Sequence, residues 1–348
     1  AAENPFSHYQ NGWMAHPTPL LFSGYIKRLL STNNLEGAEK LLADYQRRFG
    51  RDLRWESAQL HLMEQRENYE DILSLIQSSE NKVAHLERQC VAQFALGGYG
   101  SSFDCAQRLH IDRPLDQYYL ALLTTAMRCL GDKRYEELVN YKKLVLEVDL
   151  RSAYEGNQFD EFNHNLIGHL NRLHITEAAP TEQSIKLGTQ TPGNLFSQSN
   201  NSHVEQLKTL ISIVSDEFYQ GIKKSALSEF HPVLAQAPLV PFLQASWSIR
   251  ARTGSFHRPH VHAKGWYSSA CYIDVPEVID NVSDAGYLLF GELPFKTKDK
   301  LEADYKIKPE TGKLVLFPSY FWHSTRPYVG VGDRLVVAFD AGGPNLFV

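Results

Sequence analysis

The sequence predicts an α+β multidomain protein: an all-α repeat domain first, a jelly-roll-like β-domain last, and flanking helices between them. Three observations carry this. Apolar residues recur at helical spacing from residue 20 to residue 149. The apolar stripes begin at a near-constant interval. Beyond Pro232 the chain changes to short runs rich in Val, Ile, Leu, Tyr, Phe and Trp, punctuated by Gly, Pro and Asp.

In "LEGAEKLLADYQRRF" the positions Leu35, Ala38, Leu41, Leu42, Tyr45 and Phe49 share one helical face, Asn33 and Asn34 are N-cap candidates, and Gly50 is a stop. Tyr69, Ile72, Leu73 and Ile76 repeat the pattern, as do Leu138, Tyr141, Leu144, Val145 and Val148. The stripes start at Leu35, Tyr69, Phe103 and Tyr135, in steps of 34, 34 and 32 residues, with partner helices around Trp55, Leu86 and Tyr119. Two helices per unit at that period is TPR-like, a superhelix whose concave face suits a peptide or protein partner. The full repeat consensus is missing, and an irregular helical bundle would give similar stripes. The expected domains are 1–149 (helical repeats), 150–235 (connecting helices and loop) and 236–348 (β-domain).

In the connecting part, "FDEFNHNLIGHLNRLH" aligns Phe159, Phe162, Leu166, Leu170 and Leu173 on a helix face. "ITEAAPTEQSIKLGTQTPGNLFSQSNNS" has loop chemistry with room for one short strand. Leu207, Leu210, Ile211, Val214, Phe218 and Ile222 mark a second helix. The runs "LQASWSIRAR", "WYSSACYIDV", "AGYLLFGEL", "GKLVLFPSYFWH" and "RLVVAFDA" then read as strands of an antiparallel sandwich or barrel.

Bulk composition removes several function classes. At 348 residues and 43% hydrophobic content the chain can bury a full core over two or three domains. A net charge of −5 argues against nucleic-acid binding through broad electrostatics. No apolar run is long enough to span a membrane, and "AAENPFSHYQ" has no signal-peptide pattern. Cys90, Cys105, Cys129 and Cys271 match neither a zinc module nor a disulfide scaffold, which fits thiols in a reducing compartment, the cytoplasm.

"HRPHVHAKGW" puts three histidines into six positions, 257 to 262. A metal site, a pH-sensitive patch and an accident of composition are the three explanations. On a strand, His260 and His262 share a face and His257 falls on the other. His323, at the end of "FPSYFWH", is a third candidate ligand. Eleven residues later Arg334 opens a strand after the turn "VGVGD", so a hairpin returns a guanidinium past His323. Each residue alone has an ordinary explanation, as a hydrogen-bonded imidazole or half of a surface ion pair. Their combination favours the metal site.

Residues 159 to 348 resemble the 2-oxoglutarate/Fe(II)-dependent oxygenases of the double-stranded β-helix (jelly-roll, cupin-like) fold, in a bacterial group often fused to tetratricopeptide repeats. The resemblance rests on "FN" followed by "LNRLH", "EQSIKLGTQTPGNLF", "HRPHVHAKGWYSSACYIDVPE", "PETGKLVLFPSYFWHSTRP" and "DRLVVAFDA", in that order. It implies that His260 and His323 ligate iron, and that His262 fills the position of a carboxylate in most of the superfamily. It implies that Arg334 grips the distal carboxylate of 2-oxoglutarate, with Tyr272 offering a hydroxyl to the same cosubstrate. The implied reaction uses Fe(II), 2-oxoglutarate and O2, hydroxylates an unactivated C–H bond, and releases succinate and CO2. The substrate would be a peptide or protein side chain or a small amino-acid-like metabolite.

The departures from the family pattern matter. The usual non-haem iron set is two histidines and a carboxylate. With His262 in the middle position, either three histidines hold iron or two do and His262 stands behind them. Asp274 and Asp340 are the other carboxylates, and both read as structural. Val336 stands where many relatives have a serine or threonine. Trp266, Tyr267, Phe317, Tyr320 and Trp322 are candidate pocket walls or ordinary core. Arg250, Arg252, Arg258 and Lys264 either draw in anionic substrates or form a solvated strand edge. Two other functions stay open: a three-histidine dioxygenase that does not use 2-oxoglutarate, and a non-catalytic interaction protein whose β-domain has lost its metal.

Overall fold

The first helices begin and end where local chemistry dictates. The computed structural model describes residues 5–175, 184–225, 227–238, 242–279 and 283–342. The Asn34 side chain accepts from the Gly37 N–H at 3.0 Å and opens the helix Leu35–Phe49; Gly50, at φ 81°, follows its last turn. Asp52 opens Leu53–Gln65 in the same way, through the Trp55 N–H at 3.0 Å. The apolar faces meet in a core that includes Phe22, Leu41, Leu42, Tyr45, Trp55 and Leu62. The helix Tyr69–Ser78 starts at the predicted stripe. After the partner helix Leu86–Leu96, the helix of the third stripe starts at Tyr99, ahead of the expected Phe103.

The fourth predicted helix does not form. Arg134–Leu138 and Tyr141–Leu144 are short helical turns, and Leu146–Asp149 is a strand. The Asn140 side chain caps the second turn through the Lys143 N–H at 3.2 Å, so the helical path is broken there. The β-branched Val145 and Val148 then lie in extended chain, which suits them better.

The chain divides into two compact units, Ala1–Cys105 and Ala106–Val348. The described part of the first is helical. The second holds the strands: β1 Leu146–Asp149, β2 Ile185–Gln190, β3 Phe242–His257, β4 Tyr267–Asp274, β5 Leu288–Phe290, β6 Tyr305–Ile307, β7 Lys313–Pro318, β8 His323–Thr325 and β9 Arg334–Gly342. They form two antiparallel sheets, in the orders β1-β7-β4-β9-β3-β2 and β6-β5-β8. The predicted flanking helices are present as Gln158–Leu173 and Ser202–Lys223. Asn163 ties the first to β4 by donating to the Ile273 carbonyl at 2.8 Å.

Residues 106–144 belong physically with the sheets. Trp322 donates its indole N–H to Thr125 Oγ1 at 2.9 Å, and the Tyr320 hydroxyl donates to the Leu138 carbonyl at 2.5 Å. The reading of 176–183 as loop, and residues 1–4 of "AAENPFSHYQ", lie outside the described residues. Among the described residues no helix is long and apolar enough to cross a membrane. Cys90, Cys129 and Cys271 are free thiols.

Candidate active site

A cavity of about 600 Å³ is lined from both sheets, a size suited to a small-molecule site. β9 contributes Arg334, Val336, Ala338 and Asp340, every second residue, which is the inward face of a regular strand. β4 adds Ala270 and Tyr272, and β8 adds His323 and Thr325.

The pair His260 and His262 is not on a strand, contrary to the expectation that made them neighbours. β3 ends at His257, and Pro259 has no N–H with which to continue a ladder. His260 makes a single antiparallel bridge to His323, each donating its backbone N–H to the other's carbonyl at 3.0 Å. The His262 N–H donates to the Ser319 carbonyl at 3.1 Å. Gly265 lets this loop lie close, because a Cβ there would stand 2.4 Å from Ser319 Oγ. The loop is thereby laid over the β7–β8 turn. One ligand nitrogen from each of His260, His262 and His323 comes within 4.8 Å of the others. The ring centroids are 4.2 Å apart for His260 and His323, and 5.2 Å from His262 to each.

Hydrogen bonds decide which nitrogen each ring offers. His260 donates Nδ1–H to the Arg258 carbonyl at 2.8 Å, and His323 donates Nδ1–H to the Phe321 carbonyl at 2.9 Å. His262 donates Nδ1–H to the Asp340 carboxylate at 2.8 Å. In each neutral ring Nε2 is then the acceptor nitrogen, the form a metal ligand needs, and that of His260 lies 3.3 Å from Ser184 Oγ. Burial, with repulsion from His262, pushes His260 down to about 3; burial and the neighbouring histidines hold His323 well below the ordinary range. Both rings are therefore neutral near pH 7. Burial acts on His262 in the same direction, but the Asp340 charge and hydrogen bond outweigh it and raise its pKa.

Arg334 lies at another part of the cavity and is 1% exposed. It donates from Nη1 to the Gly286 carbonyl and from Nη2 to Thr325 Oγ1 at 3.4 Å, while its buried Nε–H has no partner. Gly286 adopts φ +77°, and a Cβ there would meet Ile279 Cδ1 at 2.5 Å. Among the described residues no carboxylate pairs with Arg334. Burial lowers its pKa, yet a guanidinium stays charged. A buried, uncompensated cation with an open N–H is a site for an anion, and a carboxylate is the matching shape. Tyr272, facing the same cavity, has its hydroxyl pushed up to about 12 by burial, against the pull of Arg334. It is a neutral donor at pH 7. Val336 has no hydroxyl to offer, and Thr325 brings one from β8 instead.

Some residues were misjudged from the sequence. His257 lines the cavity, with its ring Nδ1 3.3 Å from Thr325 Oγ1 and its backbone N–H donating to the same oxygen at 2.9 Å. Strand parity excluded it only because β3 was taken to continue through His262. Asp340 is not merely structural, since it holds His262. Asp274 does not line the cavity. Of the five candidate aromatics only Phe317 does; Trp266, for instance, is core, its indole bonded to the Val233 carbonyl at 2.9 Å. Of the four cations only Lys264 reaches the cavity wall, beside Trp247 and Gln244, which the sequence did not single out.

Comparison with known proteins bears on this geometry. Residues 245–340 match the family described as "Putative 2OG-Fe(II) oxygenase". No curated protein matches the chain. Among solved structures, the viral collagen prolyl hydroxylase vCPH from Paramecium Bursaria Chlorella virus-1, in its 2OG complex, is 15% identical, covers 58% of this chain and 98% of its own, and gives a TM-score of 0.38. HygX from Streptomyces hygroscopicus, with nickel and 2-oxoglutarate bound, is 14% identical over 60% of this chain and 87% of its own, at a TM-score of 0.38. A prolyl hydroxylase from Trichoplax adhaerens, in complex with a hypoxia inducible factor peptide fragment, is 14% identical over 63% and 94%, at 0.39. The segment matched by that family, residues 245–340, carries all three histidines and Arg334.

Proposed function

We propose that His260, His262 and His323 hold ferrous iron through Nε2, that Arg334 receives the distal carboxylate of 2-oxoglutarate, and that Tyr272 and Thr325 add hydroxyl contacts to it. One observation carries this: three imidazoles, each tied at Nδ1, bring their ring nitrogens together (His260 Nε2 also lies 3.3 Å from Ser184 Oγ) in the cavity that holds a buried guanidinium with an unpartnered Nε–H. Bound iron supplies oxidation of a C–H bond by O2, coupled to conversion of 2-oxoglutarate to succinate and CO2. The protein's part is orientation. The β-bridge holds His260 against His323, and the guanidinium, set on β9, fixes the far end of the cosubstrate.

The proposed substrate is a peptide or protein side chain or a small amino-acid-like metabolite, hydroxylated at an unactivated carbon. The proposed architecture is a double-stranded β-helix core over 236–348, extended by the strands Leu146–Asp149 and Ile185–Gln190 from the preceding segments, with connecting elements over 150–235 and a TPR-like superhelix within 1–149 that recruits a protein partner or substrate. The free thiols fit a cytoplasmic setting.

Anaerobic addition of Fe(II) and then 2-oxoglutarate tests the site. The expected result is a visible metal-to-cosubstrate charge-transfer band, followed by succinate formation when oxygen and a substrate are admitted. Iron binding with no response to 2-oxoglutarate would instead support a three-histidine dioxygenase, a reading that leaves Arg334 buried without an anion to meet. Binding of neither would leave the non-catalytic reading.

A further inference from the structure

The three histidines are not held alike. His260 and His323 each donate Nδ1–H to a backbone carbonyl two residues earlier in the chain, Arg258 and Phe321. Those acceptors are neutral and local. His262 donates to a carboxylate 78 residues away, with its Nδ1 2.8 Å from Asp340 Oδ2 and 2.7 Å from Oδ1.

Asp340 is itself in an unusual position. Its side chain is 14% exposed, and among the described residues no lysine or arginine pairs with it. Its other partner is the Ser268 hydroxyl, which donates to Oδ1 at 2.8 Å and lies 2.8 Å from Ser319 Oγ. A largely buried carboxylate held by an imidazole and a hydroxyl, with no lysine or arginine beside it, is costly unless positive charge stands nearby. A divalent ion on the far nitrogen of His262 would be that charge. The arrangement also answers the departure seen in the sequence. In the usual ligand set a carboxylate sits on the iron, whereas here the middle ligand is a neutral imidazole and a carboxylate lies directly behind it.

We propose that Asp340 is a positioning residue for the metal: it fixes the ring of His262, makes its Nε2 a stronger donor, and returns to the site, one imidazole removed, the negative charge that His262 lacks. The inference rests on the three-histidine iron site proposed above.

The test uses the full-length protein with Fe(II), under anaerobic conditions, in wild type and in Asp340→Asn, which keeps the size and a hydrogen-bond acceptor but removes the charge. Three quantities are read: Fe(II) dissociation constant, energy of the charge-transfer band with 2-oxoglutarate, and the Fe(III)/Fe(II) potential. The expectation for Asp340→Asn is about 10- to 100-fold weaker iron binding, a charge-transfer band at shorter wavelength, and a more positive potential, because a less electron-rich iron is harder to oxidise. Ser268→Ala, which touches the same carboxylate without changing its charge, should leave band and potential in place. If Asp340→Asn does not fold, Asp340→Ser makes the same charge change with a smaller hydroxyl side chain.

Unchanged affinity, band and potential in a folded charge-free variant would overturn the proposal. So would complete loss of iron in Asp340→Asn together with full binding in His262→Ala, since Asp340 would then be the ligand itself. Wild-type protein that binds no iron would remove the three-histidine site, a failure separate from the other two.

Discussion

Two arginines of the second compact unit, Arg128 half-buried and Arg334 buried, sit in opposite kinds of surroundings. Arg128 is saturated: it donates to the Gly291 carbonyl at 2.6 Å, to the Glu302 carbonyl at 2.8 Å, and to Asp304, which also accepts from the Tyr135 hydroxyl at 2.6 Å. Arg334 has a carbonyl, a long hydroxyl contact and an unpartnered Nε–H. The same contrast holds for histidines. His174 bonds Ser248 Oγ at 3.0 Å and Thr189 Oγ1 at 2.8 Å, using both ring nitrogens. His323 uses one and faces a cavity with the other. In each pair the member that faces the cavity keeps a polar atom open, although a few buried atoms elsewhere, such as His110 Nδ1 and Ser215 Oγ, also lack a partner.

This contrast predicts which substitutions break binding and which break folding. The largest effect is expected from His323→Ala: Fe(II) affinity falls by more than about 100-fold, beyond what losing an outer partner costs, while circular dichroism stays that of the wild type. Arg334→Ala comes next. It removes about 2–5 kcal/mol of 2-oxoglutarate binding, at least about 30-fold in Kd by calorimetry, with iron affinity retained. Unchanged cosubstrate affinity would erase the distinction between the two arginines. Arg128→Ala should do the reverse, costing about 3 kcal/mol of unfolding free energy in urea and leaving the 2-oxoglutarate Kd of the folded protein as it was.

The smallest effect concerns pH. Burial, with the Arg250 charge, holds His174 down at about 4. Between that value and the ordinary histidine pKa near 6.5 the unfolded chain binds a proton that the folded one refuses. Stability therefore rises with pH across this window and is level above it. One such group contributes at most about 1.4 kcal/mol per pH unit. Urea unfolding at pH 7 and pH 5 should show a smaller pH-dependent loss in His174→Gln than in wild type.

The chemistry of the site was more legible than its geometry. The residue types and their order along the chain (two close histidines, a distant third, an arginine past a hairpin) are one-dimensional facts, and His260, His262, His323 and Arg334 do line one cavity. The reason given for the pairing was nevertheless wrong. Strand alternation was invoked for residues that lie in a loop, where a bridge to His323 and the Ser319 carbonyl do the positioning. Asp340 reads as structural from the sequence, and Thr325 is not marked at all, because nothing local signals a residue whose partner is 78 or nine positions away. β1 was hidden for a different reason. Leu144, Val145 and Val148 fit a helical stripe, and only pairing of Leu146–Asp149 with β7 decides for the strand.

β9 bears the guanidinium at one end and the carboxylate that holds His262 at the other, both on its inward face with Val336 and Ala338 between them. They are thus mechanically linked by a single ruler. A one-residue slip in this strand would turn both functional groups outward at once. Cosubstrate grip and metal support should therefore be inherited, and lost, as a unit.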